Sequence, residues 1–80
     1  MVHDFILVYA LGSDVGSQED VLRELADSDC ADATVGWGRP GHVGLAFSRE
    51  ASDRDAAVKL ATAQVAQALP GAVLVRVDTA

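Results

Sequence analysis

The chain has 80 residues, half of them apolar, and a formal net charge of −6. That is enough for one domain, residues 1–80, with one small core, and it excludes a disordered tail. The longest apolar run, Phe5 to Leu11, is strand-sized and far short of the roughly 20 apolar residues of a membrane helix.

The charge is divided unevenly. Within residues 1–32, Asp4, Asp14, Glu19, Asp20, Glu24, Asp27, Asp29 and Asp32 face Arg23 alone; within residues 33–80, Glu50, Asp53, Asp55 and Asp78 face Arg39, Arg49, Arg54, Lys59 and Arg76. No basic stripe exists to release counterions from phosphates, so the sequence argues against direct nucleic-acid binding by this chain. The acidity around the first helix serves solubility or meets a basic partner. Asp4 stands where an export signal would be basic, and the lone Cys30 has no second thiol for a disulfide or a metal. These features lead us to expect a cytoplasmic protein without a cofactor or a metal.

Val2 to Leu11 reads as a strand, apolar on both faces and therefore central, with a turn cluster at Gly12-Ser13-Asp14 after it. Ser17-Gln18-Glu19-Asp20 has the form of a capping box, and Val21, Leu22, Leu25 and Ala26 follow at helical spacing, which predicts a short helix over about 17–28. Ala33 to Trp37 and His42 to Phe47 then flank Gly38-Arg39-Pro40-Gly41 as a hairpin. Pro40 presets its own φ and Gly41 accepts a positive one, as a type II turn requires. Ser52-Asp53-Arg54-Asp55 opens a second helix carrying Val58, Ala61, Val65 and Leu69, Pro70-Gly71 stops it, and Val73 to Val77 supply a last strand.

The resulting order, β-α-β-β-α-β, predicts an α+β ferredoxin-like fold, with both helices on one face of a four-stranded antiparallel sheet. The second face should be polar in a monomer, yet the first strand puts large apolar side chains on both faces: Phe5, Leu7 and Tyr9 oppose Ile6, Val8 and Ala10. In the last strand Val73, Val75 and Val77 oppose Ala72, Leu74 and Arg76. In the third, Val43, Leu45 and Phe47 read as core, and Gly44, Ala46 and Ser48 as the open side. An apolar open face suits another copy of the chain, an appended segment or a flat ligand. The expected partner is a second copy of the chain, with another protein as the alternative occupant, and the candidate self-association residues are Phe5, Leu7, Tyr9 and Leu74.

The chemistry-bearing residues are few. Trp37, Arg39 and His42 cluster at the hairpin turn and are the candidate ligand site, suited to an anion; a small ligand-binding protein or enzyme using Arg39, His42 and Tyr9 is the alternative to an interaction module. No catalytic residues are assigned. Ser-His-Asp and Cys-His arrangements are missing, and Asp29 and Asp32 beside Cys30 oppose a thiolate. Asp27, Asp29 and Asp32 lack the spacing of a calcium loop, and Gly12 and Gly16 lack the third glycine or lysine of a phosphate loop.

The segment from Asp32 to Ala51, with the strand Phe5 to Leu11 before it and Leu69-Pro70-Gly71-Ala72 after it, resembles the N-terminal ferredoxin-like part of a family of small bacterial helix-turn-helix proteins that are predicted to bind DNA. The resemblance implies the same fold and a dimerising or sensing part of a bacterial regulator. It implies no catalytic residues, and the helix-turn-helix that would read DNA is not in this sequence, which stops at Thr79-Ala80.

Overall fold

A ten-residue strand, β1 (Val2–Leu11), forms the centre of the sheet. It pairs antiparallel with β3 (His42–Glu50) on one side and β4 (Ala72–Thr79) on the other, and the short β2 (Thr34–Gly36) lies along the outer side of β3. The order is β2-β3-β1-β4, as a ferredoxin-like α+β fold requires. The computed structural model describes residues 1–12 and 16–79, so most of the turn expected after the first strand lies outside the described residues.

The two helices are α1 (Gln18–Ala26) and α2 (Arg54–Ala68). Ser17 caps α1 reciprocally: its hydroxyl accepts from the Asp20 amide at 3.2 Å, and its own amide donates to the Asp20 carboxylate at 3.1 Å. Those bonds draw the Asp20 carboxyl below its ordinary pKa. Asp53 caps α2 by accepting from the Ala56 amide at 2.7 Å. Alanines at Ala57 and Ala61, with Val65, are the buried stripe of α2, so small side chains let it lie close on the sheet. Val21 and Leu25 anchor α1, one helical turn apart. The hairpin turn is type II as expected: the His42 amide donates to the Arg39 carbonyl at 3.0 Å, and Gly41 has φ +73°.

Register decides which face is covered. Phe5 lies opposite Phe47, Leu7 opposite Leu45 and Tyr9 opposite Val43, and all six are buried in one cluster with Val21, Leu25, Ala57, Ala61, Val65 and Leu69 from the helices and the C-terminal end of α2. The Phe5 and Phe47 rings stack with centroids 5.6 Å apart. Val43, Leu45 and Phe47 are core as expected. Phe5, Leu7 and Tyr9 are not open-face residues: cross-strand neighbours share a face, so they join the core set of β3.

β4 departs from strict alternation. Val8 lies opposite Arg76, but Tyr9 lies opposite Leu74, which leaves Val75 as the extra residue of a bulge. The bulge resets the phase of the strand: Val77 packs on the core, Val73 lies opposite open-side Ala10, and Leu74 lies opposite Tyr9 on the helix side. Leu74 is therefore also misplaced as an open-face residue, although 40% of it remains exposed at the sheet edge. Among the described residues no helix is long and apolar enough to cross a membrane.

Candidate functional site

The open face is built from the even-numbered residues of β1 and their neighbours. Asp4, Ile6, Val8 and Ala10 stand opposite Ser48, Ala46, Gly44 and His42 of β3, and Ile6, Val8 and Ala10 also stand opposite Asp78, Arg76 and Val73 of β4. No helix covers them. Ile6 and Val8 are half-buried by their neighbours, whereas Val73 and Val75 are 65% and 51% exposed. The small residues expected on the open side of β3, Gly44 and Ala46, are here, next to Gly36 of β2.

The two glycines floor a hollow of about 190 Å³ walled by Val8, His42, Val75, Arg39 and Arg76. Neither glycine has a positive φ, and a Cβ on Gly44 would meet Ile6 at 3.7 Å and the Gly36 carbonyl at 3.8 Å, which is ordinary contact. The fold does not require glycine at position 44.

The structure brings Trp37, Arg39 and His42 together. All three line a second hollow, about 460 Å³, at the end of the sheet, with Leu11, Gly12 and Gln18 among its other walls. The His42 ring places Nδ1 3.0 Å from the Pro40 carbonyl. The Leu11 amide donates to the Gly41 carbonyl at 2.7 Å and ties the turn to the end of β1. Trp37 is partly buried and packs against the rim of the core. Arg39 makes no ion pair among the described residues and borders both hollows. Tyr9 does not belong with them. It is buried under the helices, its hydroxyl has no hydrogen-bond partner among the described residues, and burial pushes its pKa up to about 12.

At the opposite end of the sheet, on the helix side, Arg49 joins three elements. Its guanidinium donates to both carboxylate oxygens of Asp32 at 2.6 and 2.8 Å, to Gln64 at 2.8 Å and to the Asp29 carbonyl at 3.1 Å, and it lies 4.7 Å from the centre of the Phe47 ring. Its bonds hold the Asp32 carboxyl below, and its own group above, the ordinary value. Cys30, packed in the core, has its thiol pushed up by burial, which removes the thiolate a nucleophile would need. This cluster locks the loop after α1 to β3 and α2. Sequence reasoning misses it, because nothing in the sequence separates Arg49 from its four fellow arginines.

No group of three or more His, Cys, Asp or Glu side chains able to hold a metal occurs among the described residues. Compared with protein-family models, with curated proteins and with solved structures, the chain matches none of them.

Proposed function

We propose that this chain is a non-catalytic interaction module that forms a homodimer through the open face of its sheet. One observation carries the proposal: Ile6, Val8, Ala10, Gly44, Ala46 and Val73, with Val75 beside Val8 at the hollow, make the centre of a face that neither helix covers, and Arg76 and Asp78 flank it on β4. A second copy is the occupant because the face supplies both signs of charge at its ends and an apolar centre between them. The resemblance of the sequence to the N-terminal part of helix-turn-helix proteins supports the same role, that of giving a cytoplasmic bacterial regulator its dimeric state. Size-exclusion chromatography with light scattering over a concentration series tests it. The expected mass is twice 8.3 kDa; Val8→Asp returns it to the monomer value with the circular dichroism of the fold intact. A monomer at every concentration would overturn the proposal.

A second reading is favoured by the convergence of Trp37, Arg39 and His42 on one hollow: capture of a small anion there. Trp37 is the one tryptophan, so its fluorescence reports occupancy. Titration with inorganic phosphate should shift the emission, and Arg39→Ala should abolish the shift; a flat titration would remove this reading.

A further inference from the structure

We propose that the two copies pack face to face with their β1 strands running in opposite directions, so that the acidic end of each open face lies on the basic end of the other. This inference rests on self-association through the open face and adds its orientation.

The register of the strands gives the face an electrical polarity. Going along β1 from its start, Glu50 stands opposite Val2, Asp4 follows beside Ser48, and Asp78 stands opposite Ile6. Beyond the midpoint the sign reverses: Arg76 stands opposite Val8, and Arg39 follows in the turn beyond His42 and Ala10. Arg76 and Asp78 pair at 2.9 Å and are aligned with the same polarity. Arg49, which is also near the acidic end, is turned to the helix side and held by Asp32.

From the level of Asp4 to that of Ala10 is about 20 Å at ~3.3 Å per residue. That is more than two Debye lengths at physiological salt, about 8 Å each, so the ends do not cancel within one copy. Two sheets meeting face to face align to within about 30° or cross near 90°. Of the aligned arrangements, parallel strands put Asp4 and Glu50 on their own copies and Arg39 on Arg39. Antiparallel strands put opposite charges together at both ends through one two-fold axis. Both directions bury the same open-face residues, Ile6, Val8, Ala10, Gly44 and Ala46, so charge selects the direction.

Two variants and their mixture test this. Asp4→Lys with Glu50→Lys makes both ends basic, and Arg39→Glu with His42→Glu makes both ends acidic. Each alone should weaken self-association about tenfold or more, and an equimolar mixture of the two should form a heterodimer with close to wild-type affinity. Milder neutralisation, Asp4→Asn with Glu50→Gln, keeps the test available if a reversed variant loses its circular dichroism; it should weaken the dimer and flatten its dependence on salt. A dimeric wild type whose affinity ignores these changes, or variants that weaken singly but do not recover on mixing, would overturn the orientation while leaving self-association standing. A monomeric wild type would overturn both.

Discussion

The two faces of the sheet are made by the same strands and differ in how side chains meet across them. On the covered face, large meets large: Phe5 with Phe47, Leu7 with Leu45, Tyr9 with Val43, none more than 4% exposed. On the open face, large meets small: Ile6 with Ala46 and Val8 with Gly44. Large pairs fill the space beneath two helices at interior density, and a gap left there has nothing to refill it. Alternating large and small residues leave ridges and hollows near the backbone, as at the hollow floored by Gly36 and Gly44. Under the proposed self-association, stability and association fall on opposite sides of one layer, and substitutions can separate them.

The largest effect is expected on the covered face. Phe5→Ala should cost about 3–5 kcal/mol, a large share of the stability of a chain this size, which at about 0.05–0.15 kcal/mol per residue comes to roughly 4–12 kcal/mol. Phe5→Asp should leave no folded protein by circular dichroism. If Phe5→Asp instead gave a folded monomer, the assignment of the faces would be inverted.

Next comes the latch at the covered side's edge. Arg49→Ala should lower stability by about 2 kcal/mol in urea denaturation, because its bonds to Gln64 and to the Asp29 carbonyl are lost along with the ion pair. The ion pair alone adds little, since Asp32 is about half exposed. Its signature is in the pH dependence. The Asp32 carboxyl is held below its ordinary value in the folded state, so its contribution is complete above the unfolded pKa of about 3.9 and disappears as pH falls through the folded one. The advantage of wild type over Asp32→Asn should thus be full at neutral pH and shrink below about pH 4. A gap unchanged at pH 3 would mean that the pair does not couple to folding.

Tyr9 marks the dry side of the comparison. It is the one tyrosine of the chain, and with a folded pKa of about 12 against an ordinary 10.0 its phenolate absorbance should be missing at pH 10.5 and emerge only near pH 12. Because the unfolded phenol ionises first, stability should be level below pH 10 and fall between about pH 10 and 12. Half-ionisation near pH 10 in the folded protein would place the ring in water.

How far these faces are legible in the sequence depends on the kind of signal. Element order, the capping box at Ser17 and Asp20, and the Pro40-Gly41 turn are local chemistry, so they transfer directly to the structure. The core of β3 is legible because Gly44, Ala46 and Ser48 make its other side visibly different. β1 carries large apolar residues on both sides, so alternation alone does not orient it. Pairing Phe5 with Phe47 does, but a one-residue slip in that register would exchange the faces, and register is a property of two strands. The bulge at Val75 escapes for a similar reason: Val73, Leu74, Val75, Arg76 and Val77 alternate plausibly in either phase, and only the partner strand shows where the count breaks. Trp37, Arg39 and His42 are legible as a group because a tight hairpin turn keeps sequence neighbours near in space.

The smallest expected effect is at Gly44, and it separates the two faces most sharply. A glycine in the middle of a strand costs roughly 0.5–1 kcal/mol relative to alanine, because its unfolded backbone is freer. Here the added methyl would meet Ile6 at 3.7 Å and the Gly36 carbonyl at 3.8 Å, with no positive φ to strain it. Judged as a monomer, Gly44→Ala should therefore be stabilised by up to about 1 kcal/mol in urea. The same methyl rises from the floor of the 190 Å³ hollow, where a second copy's side chain would have to enter. Self-association should weaken as monomer stability rises, an opposition that no position on the covered face can produce, since there filling and folding are the same event. A Gly44→Ala protein that is more stable and associates at least as well would show that the hollow is not part of the contact and would move the interface toward Val73 and the edge of β4.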